Sequence, residues 1–328
     1  MKKASHKQMK FSFSTLIVAC LVALASISCS KEEVDPIENI FVAPTVAQFK
    51  NLRDLALAQH TETATFNAED GVTFTSNDGA QINIPAGCLT NNGNPVTGAV
   101  ELTFIDLYAK NDMMATNKPT MGLMPSGDKA LLITGGEFFI DVRQNNTLLE
   151  SSCGFHLLVP FDNTGGEDSE MIMWTGVIDE NGNLTWEENE NMELFAQGAN
   201  YFVFGNEFGW TNIDRFYSDP RPKTTMKVKV PEGFDFENSA VYLSYDGEPN
   251  ALAQLDAYIS ETKVFSEHYG QIPIGLEAHI IFATAEGDDW RYAIQAVTIS
   301  ANQIYTFTMQ DTQVDTYENL VAAINALP

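Results

Sequence analysis

Between residues 63 and 309 the chain is a succession of short apolar–polar alternations, each stopped within a few residues by Gly, Asn, Asp or Pro. Alternation with a period of two sends neighbouring side chains to opposite faces of a strand, and turn residues at such short intervals leave little room for long helices. The alternating Gln81–Ile84 segment halts at Pro85, which ends a strand without needing a donor. Ala99–Leu107 sets Val100, Leu102 and Phe104 on one face. Residues 136–142, 154–160, 169–177 and 201–204 continue the pattern, and 179–183 links two strands as a hairpin around Asn181-Gly182. After Asp219-Pro-Arg-Pro222, a stiff polar stretch that reads as a domain boundary, strands resume at 225–230, 240–245, 277–284, 290–299 and 303–309.

Helices are expected only at the ends of this β region. Residues 44–59 carry an apolar stripe of Val46, Phe49, Leu52, Leu55 and Leu57, with Pro44 at the N-terminal edge. Asp315 is placed to cap a closing helix that runs to Leu327, with Glu318 three residues on completing a capping box. The expected fold is mainly β: two β-sandwich-like domains, at 63–219 and 220–328, with a short N-terminal helix and a C-terminal helix. With 44% hydrophobic and 11% aromatic residues, wholesale disorder is excluded. The balance of 44 acids against 18 Lys and Arg gives a net charge of −26, which offers no electrostatic footprint for nucleic acid or an anionic lipid surface.

The first 28 residues are of a different kind. Lys2, Lys3, Lys7 and Lys10, with no acid among them, precede an apolar stretch at 16–27 that is too short to span a bilayer and ends in small residues. That is the pattern of a cleaved signal peptide. Ser26-Ile-Ser-Cys29 resembles the lipobox of bacterial lipoproteins, which implies acylation of Cys29 and retention on a membrane through its acyl chains, palmitate among them. Ser30, Lys31, Glu32 and Glu33 resemble the short export signal that follows the lipidated cysteine in surface lipoproteins of some Gram-negative bacteria. The expected location is therefore the outer membrane, lipid-anchored and facing the cell exterior, with residues 29–62 as tether and helix.

A further resemblance lies in 78–100. Asp78-Gly-Ala-Gln-Ile-Asn-Ile-Pro-Ala-Gly-Cys-Leu89, followed by Asn92-Gly-Asn-Pro-Val-Thr-Gly-Ala-Val100, resembles the start of a ZU5-type β-sandwich, and Gly135-Gly-Glu-Phe-Phe-Ile-Asp141 resembles a Gly-led strand of such modules. Over about 71–160 the resemblance implies a β-sandwich used for interaction rather than catalysis. Gly209-Trp-Thr-Asn-Ile-Asp-Arg215 is similar to a stretch of bacterial surface proteins to which no chemistry attaches.

Chemistry-bearing patterns are sparse. His60, His156, His268 and His279 are widely separated, with no His-x-x-x-His or Cys-x-x-Cys pair, so neither zinc nor any other cofactor is implied. No nucleophile elbow or phosphate loop is present. Among the acids, Asp162, Glu167, Asp168 and Asp214 follow no pattern that singles out a catalytic pair. Asp179, Asn181 and Asn183 space oxygens as a calcium loop does, but lack its twelfth-position Glu, and a hairpin explains the same residues. Cys88 and Cys153, both at strand ends in an oxidising compartment, read equally as a disulfide or as two separate small hydrophobes. Phe208, Trp210, Phe216 and Tyr217, with Asn212, Asp214 and Arg215, read either as a seal between two sandwiches or as a sugar-stacking surface. The function these features imply is a non-catalytic envelope lipoprotein that meets a protein or glycan partner, the alternative being glycan binding for polysaccharide capture.

Overall fold

The structure is a computed structural model that describes residues 41–179 and 182–328. The readings at Cys29 and Ser30–Glu33, and Asn181 of the calcium-like loop, lie outside the described residues. The fold is mainly β, with three α-helices among the described residues: Val46–Gln59, Lys110–Thr116 and Tyr317–Asn325. Residues 42–328 make one compact unit. No described helix is long and apolar enough to cross a membrane.

All strands up to Phe216 belong to three sheets, and all strands from Lys223 onward belong to two others. In the first group, Lys129–Gln144 is the organising strand. It pairs with Ala99–Leu107 on one side and Gly209–Phe216 on the other. One face of this sheet carries Phe104, Phe138 and Ile140, which meet Ile82, Leu157 and Val203 of a second, five-stranded sheet to form a sandwich core. Strand alternation builds that core as expected: Val100, Leu102 and Phe104 are all buried. Cys88 and Cys153 are joined in a disulfide that ties together the short paired strands Leu89–Asn91 and Glu150–Ser151.

The same sheet also closes on itself. From Lys129–Gln144 the pairing runs through Gly209–Phe216, Ile172–Ile178, Leu184–Glu188 and Met121–Leu123, and the last of these pairs back to Lys129–Gln144. The result is a five-stranded ring with no free edge along its circuit. Its interior holds Trp174, Trp186, Trp210, Leu132 and Leu184. Such a narrow ring has room for three indoles only where the wall is bare. A Cβ at Gly176 would sit 2.6 Å from Trp210 Cβ and 2.9 Å from the Trp186 ring, and one at Gly122 would sit 2.7 Å from Leu132 Cδ2.

In the second group, Lys223–Lys229 and Val264–Pro273 lead a four-stranded sheet, and Ser239–Tyr245, Glu277–Glu286 and Asp289–Thr298 form the centre of a five-stranded one. Between them pack Val228, Phe265, Val241, Leu243, Ile280 and Phe282, within the same apolar cluster that fills the first sandwich. The outer face of the five-stranded sheet, including Tyr242, Ile281 and Trp290, is covered by all three helices through Phe49, Leu52, Met113, Met114, Leu320 and Ile324. Asp219–Pro222 lies between the two sheet systems, where Asp219 accepts paired hydrogen bonds from Arg221.

Several local readings need correction. The N-terminal helix buries Phe49, Leu52 and Ala56, while Leu55 is 54% and Val46 51% exposed. Thr45, not Pro44, caps it, in a reciprocal box with Gln48. At the C-terminal helix the cap is Thr316, accepting from the Asn319 N–H, so Asp315 is one residue too early. Gly135 and Gly136 lie in the middle of their strand rather than leading it, and Gly136 adopts φ 132° where a Cβ would meet the Phe138 and Tyr108 rings. The Gly209–Phe216 segment is a central strand of the ring.

Candidate functional site

One end of the ring opens into a cleft of about 490 Å³, within the size range of small-molecule sites. Its walls come from the Val46–Gln59 helix, the turn after Lys110–Thr116, the ring residues Ile178, Gly182 and Asn183, and Phe236, Glu237, Ser239, Ala240, Gln254 and Phe265 of the second half of the chain. The turn is set by sequence. Asn117 ends the short helix in the left-handed conformation (φ 57°), which Asn tolerates better than most residues, and Pro119 forbids any continuation. Lys118, held between them, donates its backbone N–H to Met113 O and carries its side chain to the ring mouth.

There Lys118 is 8% exposed. Its ammonium stands 5.4 Å from the centre of the Trp210 ring and donates to Thr116 O at 3.2 Å. Burial pulls it down from the usual lysine value to about 8, against an opposing pull from Glu137. On the helix side, the Arg53 guanidinium lies 4.0 Å over the Phe49 ring and donates to the Tyr242 hydroxyl at 3.3 Å. Tyr242 in turn donates to Asn117 Oδ1 at 2.6 Å, and Gln254 Nε2 donates to the same oxygen at 3.2 Å. Arg53 Nε is buried and has no hydrogen-bond partner.

Inside the ring, Glu137 faces Asn212 across the ladder, and Asp214 follows two residues on. Glu137, Asn212 and Asp214 are all 0% exposed. Asn212 Nδ2 donates to Asp214 Oδ2 at 2.5 Å and Thr134 Oγ1 donates to Asn212 Oδ1 at 2.7 Å, while both Glu137 oxygens and Asp214 Oδ1 lack partners. Burial holds both carboxyls well above the usual carboxylate range, and Asp214 raises Glu137 further.

The structure therefore divides the residues singled out in sequence. Trp210, Asn212 and Asp214 come together, but in the ring interior. Trp210 is 8% exposed and packs 5.2 Å from Phe139 and 6.3 Å from Trp186, so it is neither a sugar platform nor a seal between sandwiches. Of the aromatics read as a junction, Tyr217 alone crosses between the sheet systems, edge-on to Tyr245 at 5.1 Å. Phe208 stacks on Phe155 and Phe216 meets Trp174 edge-on, both within the first group. Arg215 lies apart from the cleft, paired with Asp168 at 2.5 Å. Asp179 accepts from the Asn183 backbone N–H at 2.9 Å and from its Nδ2 at 3.2 Å, which braces the hairpin. Asp162 and Glu167 are exposed. His279 bonds Asp246, while His156 and His268 lie against Phe204 and Tyr269. Among the described residues, no three His, Cys, Asp or Glu side chains are grouped to hold a metal ion.

Lys118, Arg53 and Glu137 were not foreseen from the sequence. Glu137 carries the one readable signal, a lone acid inside the apolar run Leu131-Leu-Ile-Thr-Gly-Gly-Glu-Phe-Phe-Ile140, since Glu is rarely buried without a partner. No protein-family model matches the chain, and no curated protein matches it in sequence.

Proposed function

We propose that the protein is a non-catalytic lipoprotein of the cell envelope, anchored in the outer membrane through Cys29 and facing the exterior, whose folded body contains a ZU5-like β-sandwich within residues 63–219 and serves as an interaction module. The address rests on the basic N-terminus, the apolar stretch at 16–27 and the lipobox-like Ser26–Cys29 stretch. The observation that carries the binding role is the cleft at the ring mouth. Arg53 and Asn117 are held in a fixed relay through Tyr242, beside an apolar patch of Phe49, Leu57, Phe236 and Phe265. Fixed polar groups in an apolar cleft are the makings of recognition. Polysaccharide capture, the other reading, drew on Trp210 as a stacking platform, and the burial of that indole removes this support. Arg215 and Tyr217 are engaged elsewhere, with Asp168 and with Asp219.

Replacing Cys29→Ala tests the anchor. The expected result is release of the protein from the membrane fraction into the soluble one. Retention of the variant in the outer membrane would sink the reading.

A further inference from the structure

The chain has a large excess of acid, and it uses that acid to pair its arginines. Arg143 pairs with Asp141, Arg215 with Asp168, Arg221 with Asp219 and Arg291 with Glu286. Arg53 is the exception. No carboxylate lies within ion-pair distance of it among the described residues, and its buried Nε–H points to no acceptor. Lys118, across the same cleft, is likewise without a carboxylate at ion-pair distance, and of its three N–H donors one reaches a carbonyl. The other charged groups of the wall do not substitute for a missing partner. Lys50 is closed on Asp54 at 2.5 Å, and Glu237 is exposed at the rim.

Glu137 of the ring pulls on Lys118 but is not at ion-pair distance, so two cations without a paired carboxylate share one cleft in a molecule of net charge −26, and that cleft favours an anion. We propose that the ring-mouth cleft binds a small carboxylate-bearing molecule with an apolar body, its carboxylate held between Arg53 and Lys118 and its body against Phe49, Leu57, Phe236 and Phe265. The guanidinium offers a planar fork that matches a carboxylate, and Lys118 adds a point charge. The ligand's own charge is small because the field of the whole chain repels polyanions. Phe49, Leu57, Phe236 and Phe265 give the cleft an apolar patch beside the cations, which favours an apolar body over a bare ion. This deepens the binding role proposed above and rests on it.

Isothermal titration of the purified protein in non-ionic detergent tests the assignment, with 3-phenylpropionate and hexanoate as probes. The comparison ligands are the neutral amide 3-phenylpropionamide, and phenyl phosphate. Saturable binding of a carboxylate, at least tenfold tighter than the amide, is expected. Arg53→Gln and Lys118→Met should each weaken it about tenfold or more with unchanged circular dichroism. If Lys118→Met fails to fold, Arg53→Gln on the helix surface decides alone. No saturable carboxylate binding, equal binding of the amide, tighter binding of phenyl phosphate, or variants that bind like wild type would each overturn the proposal. Failure of this kind with Cys29-dependent membrane retention intact leaves the anchoring reading standing. Conversion of a bound probe, followed by NMR, would instead defeat the non-catalytic reading and leave the carboxylate site in place.

Discussion

Glu137 stands directly opposite Asn212 in the ladder between the two central strands of the ring, fully buried, and neither of its carboxyl oxygens has a hydrogen-bond partner. A buried carboxylate in that state is strongly disfavoured, and the group avoids the cost by keeping its proton. Asp214, two residues beyond Asn212, is pushed the same way by burial. Burial therefore pushes both acids at the centre of the ring toward their protonated forms, against the pull of Lys118 on Glu137.

Stability should consequently fall as pH rises from 5 to 7.5. A carboxyl raised in the folded state contributes stability that is complete below its unfolded value and is lost as pH climbs through the folded one. Glu137 and Asp214 follow this rule. Burial also lifts Asp106 to about 6, against a hydrogen bond from Ser76, and Glu267 to about 7, against bonds from the Gln271 and Gly270 N–H groups. For Asp106 and Glu267 ionisation costs on the order of 1–3 kcal/mol each. Acids held low by arginine, such as Asp168 and Asp219, are ionised throughout this window and do not alter the slope. Urea melts at the two pH values are the measurement. Glu137→Gln should match wild type at pH 5 and exceed it at pH 7.5, and a wild-type stability that rises over the interval would contradict the account.

Trp210→Ala should destabilise the protein by about 3–5 kcal/mol, the usual cost of removing a large aromatic from a packed interior. The indole touches Phe139 and Trp186 and supports the Lys118 ammonium, so little can relax into the space. Gly176→Ala probes the same interior from the other side. Its new Cβ would meet Trp210 Cβ and the Trp186 ring at under 3 Å, and overpacking of this kind costs about 1–3 kcal/mol. Denaturant midpoints near wild type for both variants would show that the ring is looser than its geometry implies.

The disulfide offers a third measurement. Cys88 and Cys153 are 65 residues apart in sequence, and the loop-entropy account of cross-links then gives about 4 kcal/mol of stabilisation. Cys88→Ser combined with Cys153→Ser should lower stability by about 2–4 kcal/mol, and a reducing agent should do the same to wild type while leaving the double variant unchanged. Insensitivity of the wild-type melt to reduction would rule the cross-link out as a source of stability.

The strands with one apolar face were legible in the sequence. Ala99–Leu107 and Gln81–Ile84 were placed with their observed bounds, because alternation there reports directly on the sandwich core. The ring was not legible, and the reason is physical. Its strand Gly209–Phe216 turns Trp210, Asn212 and Asp214 inward and buries Thr211 and Ile213 on the other side, so polar residues occupy both faces and no period of two survives. The cleft was still less accessible. Arg53, Lys118 and Gln254 come from three distant stretches of chain, and what unites them is the packing of the helix and the turn after Lys110–Thr116 on the second sheet system, through Tyr242 and Asn117, rather than any local pattern. The disulfide is not legible from sequence, since spacing alone does not show whether two cysteines come within bonding distance.

The pH dependence of carboxylate binding separates the roles of the two cations. Burial places Lys118 at about 8, whereas arginine side chains as a class stay charged over this range. The charges facing Lys118 are Glu137 from the ring, Arg53 on the helix, and the closed Lys50–Asp54 pair beyond it. A carboxylate probe is itself ionised above pH 6. Affinity should therefore hold steady from pH 6 to 7, then decline above about 8 as the ammonium loses its proton, by up to tenfold per pH unit. Arg53→Gln should bind more weakly at every pH yet keep the decline. Lys118→Met should bind more weakly and show none, because the titrating donor is gone. A wild-type profile that stays flat from pH 7 to 9.5 would mean that the ammonium of Lys118 does not touch the ligand.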